Sequence, residues 1–157
     1  MDTTVNAQDY NRMGIALLMV RIAAALAFLY HGSAVLFGAF GGPGIAGFAQ
    51  YSHVPVFVAF LVGLAQFGGG LAMLTGVFAR LGAAGIIAVM LGAIFMVHLS
   101  KGFDITKGGM EYALTQLLIA VGILIAGAGP YSLASILKPV RRETRVEPPL
   151  TTNLPQH

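Results

Sequence analysis

The sequence predicts an all-α integral membrane protein built as a four-helix bundle, and three observations carry that expectation. Of its 157 residues, 57% are hydrophobic and only 10% are charged, with a mean hydropathy of +0.81. Soluble domains are about 45–50% apolar and about 25% charged. The apolar residues fall into four blocks, approximately 13–38, 54–78, 81–99 and 112–128, and roughly 20 helical residues cross about 30 Å of hydrocarbon. No block alternates strictly between apolar and polar residues as barrel strands do, so helices are the way left to satisfy the backbone in lipid.

Residues 1–12 form a short N-terminal segment, and residues 13–137 make up the transmembrane domain. Span one, 13–38, is longer than a signal-peptide core of about 7–15 residues, and three further spans follow it. The connection "GAFGGPGIAGFAQYSHVP" has no charge apart from His53. Its Gly and Pro punctuate a turn and then a half-apolar piece, which predicts a short re-entrant or interfacial segment. Only "FARLG" joins spans two and three, so they form a tight hairpin. After span four, "YSLASILKPVRR" at 131–142 places apolar residues before a basic end and predicts a helix lying along the interface. Residues 143–157, "ETRVEPPLTTNLPQH", have too little apolar area to fold alone and predict a disordered cytoplasmic tail.

Orientation follows from the basic residues. Arg12, Arg80, Lys138, Arg141, Arg142 and Arg145 fall on one side of the four spans, against Lys101 and Lys107 on the other. Positive residues stay in the cytoplasm, so both termini are expected there, with the 39–53 and 100–111 loops facing outward. The net charge of +3 reflects this asymmetry, and no basic-aromatic face suited to nucleic acid is present. The chain contains no cysteine, which excludes disulfides, thiolate metal ligands and thiol redox chemistry. Its 21 glycines lie largely within the spans. Pairs such as Ala72 with Gly76, Ala88 with Gly92 and Gly122 with Ala126 have the spacing that lets helices approach closely.

An ionisable or amide side chain inside lipid is costly and by default marks a functional site facing the bundle interior. Arg21 lies about 12 Å from the cytoplasmic edge and Gln66 about 18 Å from the opposite edge, counted by helical rise, so the two are expected at one level as a buried polar pair. Snorkelling of Arg21 to the interface is the alternative. His31 and His98 fall about 25–27 Å up their spans. With Gln116 and Glu111 at the start of span four, they predict one outer-leaflet polar cluster, although His98 next to Ser100 and Lys101 also suits a solvated position. Two imidazoles and a carboxylate are chemically able to hold a metal, but no ligand pair has i, i+4 spacing, and no metal is expected.

Three stretches, "LYHGSAVLFGAFGGPGIAGF", "GLAQFGGGLAMLTGVFARLGA" and "AGAGPYSL", together resemble the DoxX family of small four-helix membrane proteins, over roughly residues 14–137. Three charged positions common in that family are neutral here: a lysine is Val35, a glutamate is Gln66 and an aspartate is Ala134. By this resemblance the Arg21–Gln66 layer is a neutralised arginine–glutamate pair. An amide keeps an acceptor but loses proton exchange, so a proton relay through that position is expected to be weakened or lost.

The resemblance implies a multi-pass protein of the bacterial or archaeal inner membrane. It also implies a membrane subunit of a redox complex, since the family includes subunits of quinone-reducing thiosulfate oxidation, of terminal oxidases and of an oxidative-stress complex. The expected cofactor is a quinone, with His31, His98, Gln116 and Glu111 as its polar contacts, and the expected partners are other redox subunits or further copies of the chain. The competing expectation is a non-catalytic anchoring or assembly subunit, in which the polar groups only lock helix register.

Overall fold

The computed structural model of the chain describes residues 6–137, and every regular element among them is helical. The first helix, α1 (Ala7–Phe37), starts six residues before the apolar run, because the Asn6 side chain accepts from the Gln8 amide and caps a polar first turn. Its 31 residues extend about 47 Å, more than a hydrocarbon core needs. It stops at Gly38, whose left-handed conformation (φ +66°) turns the chain. The segment expected to be re-entrant or interfacial contains a nine-residue helix, α2 (Gly44–Ser52), packed on α1 and on α3 (Val56–Thr75).

Gly76, also left-handed, ends α3 by donating to the Ala72 carbonyl, and α4 (Ala79–Ala93) returns almost at once. The helical path continues through one π-helical turn, Ile94–His98, and a 3₁₀ turn, Leu99–Lys101. Next come a folded loop, α5 (Glu111–Ala126) and the short α6 (Leu133–Leu137). The interfacial helix expected at 131–142 is therefore described only for Leu133–Leu137, and the tail expected at 143–157 lies outside the described residues.

Three of these segments, α1, α3 and the continuous Ala79–Lys101 helix, are long and apolar enough to cross a membrane, and α5 is a shorter apolar helix. The surface agrees with lipid contact, since Leu26, Phe57, Leu118 and Ile125 are all more than half exposed. So large an uncovered apolar surface is not stable in water. The chain is an α-helical membrane protein.

The buried positions recur at helical spacing: Ala59, Gly63, Gln66, Gly70 and Met73 on α3; Ala79, Ala83, Ile86 and Met90 on α4; Ala113, Gln116, Ala120 and Ile123 on α5. Glycine sets how closely the helices approach. A Cβ on Gly32 would meet the Phe67 backbone, one on Gly70 would meet Leu29 N at 3.0 Å, and one on Gly69 would meet Gly82 O at 3.1 Å. These contacts fix α3 against α1 on one side and α4 on the other. Of the pairs singled out by spacing, Ala72 does pack, against Gly82, but Gly76 is a helix cap, and Gly92 and Gly122 have open space where a Cβ would go. Spacing reveals that two small residues share a face, not whether a neighbour is there.

Candidate functional site: an arginine lock and an aromatic-lined imidazole

Arg21 is 1% exposed and has no carboxylate partner among the described residues. Its guanidinium instead donates to four backbone carbonyls: Nε to Met73 O at 2.8 Å, Nη2 to Leu74 O at 3.1 Å, and Nη1 to Ala128 O at 2.5 Å and Tyr131 O at 3.0 Å. The first two carbonyls belong to the last turn of α3, where the helix leaves its carbonyls without internal partners and carries partial negative charge. The other two lie in the connection from α5 to α6. Arg21 therefore ties three parts of the chain together and is neutralised by dipoles rather than by an acid.

The expected Arg21–Gln66 pair is not formed. Gln66 is buried, as expected, but its Oε1 has no hydrogen-bond partner. Met73, which Arg21 does reach, lies seven residues further along α3, about 10 Å away by helical rise. The edges of the apolar blocks do not mark the register of α1 against α3. The actual register is set by Gly32 against Phe67 and by Gly70 against Ala25 and Leu29, which places Arg21 beside the C-terminal end of α3.

The same end of the bundle gathers the start of α1 and the end of α5. Gly14 packs against Pro130 and Tyr131, Gly129 against Leu17, and Arg80 at the start of α4 donates to Ile125 O at 3.2 Å. Both described ends of the chain thus lie at one end of the bundle.

The expected outer cluster divides into separate attachments. His98 Nδ1 is 2.7 Å from Gly108 O, and since a carbonyl only accepts, that nitrogen carries the proton. The bond joins the end of the π-helical turn to the loop. Glu111 Oε2 accepts from the Ile105 amide at 3.2 Å, and Met110 and Glu111 donate to the carbonyls of Gly102 and Phe103. Both side chains thus hold the loop closed, and no group of three or more His, Asp or Glu residues is gathered for a metal among the described residues.

Asp104 caps the 3₁₀ turn Ile105–Lys107. The Thr106 hydroxyl and then its amide donate to the Asp104 carboxylate and hold its pKa below the usual value. A carboxyl group depressed in the folded state stabilises above its unfolded pKa and loses that contribution as pH falls through the folded one. Acidification below about pH 4 is accordingly expected to lower the protection of the Thr106 amide, its exchange rate taken relative to an unstructured peptide at the same pH. Asp104→Ala is expected to show the lowered protection at neutral pH as well.

His31 overturns the expectation that it faces the bundle interior. It is exposed on α1, its ring 5.4 Å from that of Tyr30 in an edge-on arrangement and 6.1 Å from that of Tyr112 at the start of α5. Tyr30 in turn stacks on Phe40 at 4.9 Å. Among the described residues the imidazole makes no hydrogen bond within the protein. Gln116, one turn beyond Tyr112, is buried, and like that of Gln66 its Oε1 lacks a partner. Tyr112 and Tyr30 were not expected as site residues. Tyr112 could have been found, because it stands one helical turn before Gln116.

A scan against protein-family models matches the DoxX model over residues 16–99. The chain belongs to the DoxX family. The matched region holds Arg21, His31, Gln66 and His98, and ends before α5. The "AGAGPYSL" stretch, Glu111, Tyr112 and Gln116 therefore lie outside it, as does Ala134. Val35 is buried against Gly63, a position with no room for a solvated ammonium. No curated protein and no solved structure matches significantly.

Proposed function

We propose that this DoxX-family chain is a membrane subunit of a redox assembly that binds and orients a quinone ring beside His31. In this reading all four long helices cross the inner membrane and both ends face the cytoplasm. The observation supporting it is the imidazole itself. An unsatisfied ionisable group on the face of an apolar helix is costly in lipid and marks a functional position by default. Here it stands between two tyrosine rings with a nitrogen free to donate to a ring carbonyl. The quinone, when bound, carries the electrons. His31 supplies a hydrogen bond, and Tyr30 and Tyr112 supply flat apolar walls. The orientation is supported by Arg12 and Arg80 at the Arg21 end against Lys101 and Lys107 at the other. The 16 residues of α5 reach about 24 Å, short of the full hydrocarbon thickness.

A photoaffinity quinone is the test. His31→Ala is expected to reduce labelling about tenfold, the equivalent of about 1.4 kcal/mol. Thermal stability should stay within about 0.5 kcal/mol, because the side chain is exposed and unbonded. Labelling equal to that of the native protein would sink the quinone reading.

A second reading, an anchoring or assembly subunit, is favoured by a different observation. Arg21, His98 and Glu111 are all occupied with backbone groups of the same chain. Meanwhile a groove of about 620 Å³ between α3 and α4, floored by Gly68, Gly69, Gly82 and Gly85, stands open on the outer surface. Purification as a stoichiometric component of a larger cofactor-bearing complex, with no quinone retained by the chain alone, would select this reading.

A further inference from the structure

Two hollows adjoin at the Arg21 end of the bundle, and neither belongs to the surroundings of His31. The groove between α3 and α4 is apolar, walled by Leu64, Leu71, Phe78 and Leu81 above its glycine floor. Beside it a pocket of about 360 Å³ lies between the last turn of α3 and the chain from Pro130 to Ile136, and it carries the hydroxyls of Thr75, Ser132 and Ser135. Thr75 lines both. An apolar channel thus joins a hydroxyl-bearing pocket where α3 ends, the same division of chemistry that an amphiphile has.

Depth points to what the channel takes. The 20 residues of α3 are one span's length, so Thr75, its last residue, lies at an edge of the hydrocarbon. From there the groove runs to Leu64, about 16 Å by helical rise, which is about half of a 30 Å core. That is the reach of one leaflet's acyl chains, whereas a helix of a second copy would cross both leaflets. The floor leaves room for such a chain: a Cβ on Gly68 would meet nothing within 4 Å, and one on Gly85 only the Ala65 Cβ at 3.7 Å.

The pocket's hydroxyls are already donors, Thr75 to Leu71 O, Ser132 to Gly129 O and Ser135 to Pro130 O. What they still offer is lone pairs, which accept from a head group carrying O–H groups. The surroundings are positive. Arg80 is exposed, the Arg21 guanidinium lies on the carbonyls of Leu74 and Tyr131 in the pocket wall, and Lys138, Arg141 and Arg142 follow α6 in the sequence. Basic residues gathered at a membrane surface attract acidic lipids.

We propose that the two hollows together bind one phosphatidylglycerol, an acidic phospholipid whose head is itself a polyol. One acyl chain lies over Gly68 and Gly85, and the glycerol head donates to the serine hydroxyls. Phe78 at the mouth of the groove fits this role. It is 76% exposed and holds a left-handed conformation (φ +54°) that bulky residues rarely adopt. Packing within the chain does not offset that strain, and contact with an acyl chain does. The proposal is independent of the quinone reading, and it fills the groove that the assembly reading leaves to a partner protein.

The test places the full chain in nanodiscs of equal parts phosphatidylglycerol, phosphatidic acid and phosphatidylcholine with identical acyl chains, and identifies the lipids retained after gentle extraction by native mass spectrometry. One phosphatidylglycerol per chain is expected, favoured about tenfold over phosphatidic acid, the preference that one or two net hydrogen bonds give, with phosphatidylcholine retained least. Equal retention of the two acidic lipids would mean that charge alone is read, and overturns the head pocket. Equal retention of all three, or of none, overturns the site.

Gly68→Leu and Gly85→Leu, each laying a side chain along the floor, are expected to reduce phosphatidylglycerol retention about tenfold. Gly92→Leu, at a position equally open but outside the groove, should leave it unchanged. Undiminished retention in both groove variants overturns the proposal. So does a native chain that runs as a dimer, or with a second protein, and loses that partner on Gly68→Leu, because the groove is then a protein interface.

Discussion

Replacing Arg21 with alanine is expected to lower the stability of the bundle by on the order of 3–5 kcal/mol, the upper end of what single substitutions do when a buried hydrogen-bond network is broken. Four carbonyls would lose their donor at once: Met73 and Leu74 at the end of α3, and Ala128 and Tyr131 beyond α5. A buried acceptor left unpaired costs about 1–3 kcal/mol. The four do not add in full, because the space vacated lies near the end of the bundle and water can reach some of them. Removing the charge also relieves its desolvation, but that relief is small where helix-end dipoles already neutralise it.

Two further substitutions separate bonding from packing. Arg21→Met keeps most of the volume and supplies no donor, so it is expected to lose nearly as much as alanine. Arg21→Lys keeps the charge on a single nitrogen with three donors, which lacks the planar fork needed to serve four carbonyls in two directions, so it should fall between. Denaturant titration in mild detergent, followed by helicity, checks the series. A methionine variant within about 1 kcal/mol of native would mean that the guanidinium's bonds contribute little and that its packing is what matters. Arg80→Ala is the control. It removes one exposed bond to Ile125, and exposed contacts of this kind have little effect.

Arg21 also shows where sequence reading reaches its limit. That it would be buried was legible, because an arginine fourteen residues into a helix that otherwise turns apolar has few other places to go. Its partners were not legible. They are backbone carbonyls, which every residue has, and the side chains at 73, 74, 128 and 131 give no hint of them. The helical membrane fold could be read because the apolar blocks are bounded by Gly, Pro and charge, and the helix ends fall within a few residues of those bounds wherever such a signal exists. At the N-terminus the bounding signal is polar, the Asn6 cap, and the helix outruns the apolar block. The error in register had the same root. Hydropathy locates the edge of the oil, whereas the offset between α1 and α3 is set by which glycine meets which backbone. The polar groups expected as one cluster divide near the start of α5, where His98 and Glu111 each bond to loop backbone. Their division was hidden because the π-helical turn at Ile94–His98 rotates the chain just before His98, and nothing in the residue pattern marks such a turn.

Gly32 is where that register is most exposed to test. A methyl group there would lie 2.7 Å from the Phe67 Cα and 2.8 Å from its Cβ, closer than carbon atoms approach. A flexible side chain can swing aside, but a helix backbone cannot do so locally, so the relief must come from moving α1 and α3 apart along their whole interface. Overpacking of this kind costs about 1–3 kcal/mol and occasionally more. Gly32→Ala is expected near the top of that range, and Gly32→Val, with a branched side chain against the same backbone, beyond it. Gly68 and Gly122 lie in helices with nothing within 4 Å of the site of a Cβ. There alanine is expected to be neutral or to stabilise by roughly 0.5–1 kcal/mol, since it lowers the entropy of the unfolded chain and has the higher helix propensity. Measured side by side under the same detergent conditions, the three glycines separate a specific interface from a general effect of small residues. A Gly32→Ala variant as stable as Gly68→Ala would show that α1 and α3 do not meet at Phe67. The depth of Gln66 relative to His31 would then have to be worked out anew, because it is counted from that contact.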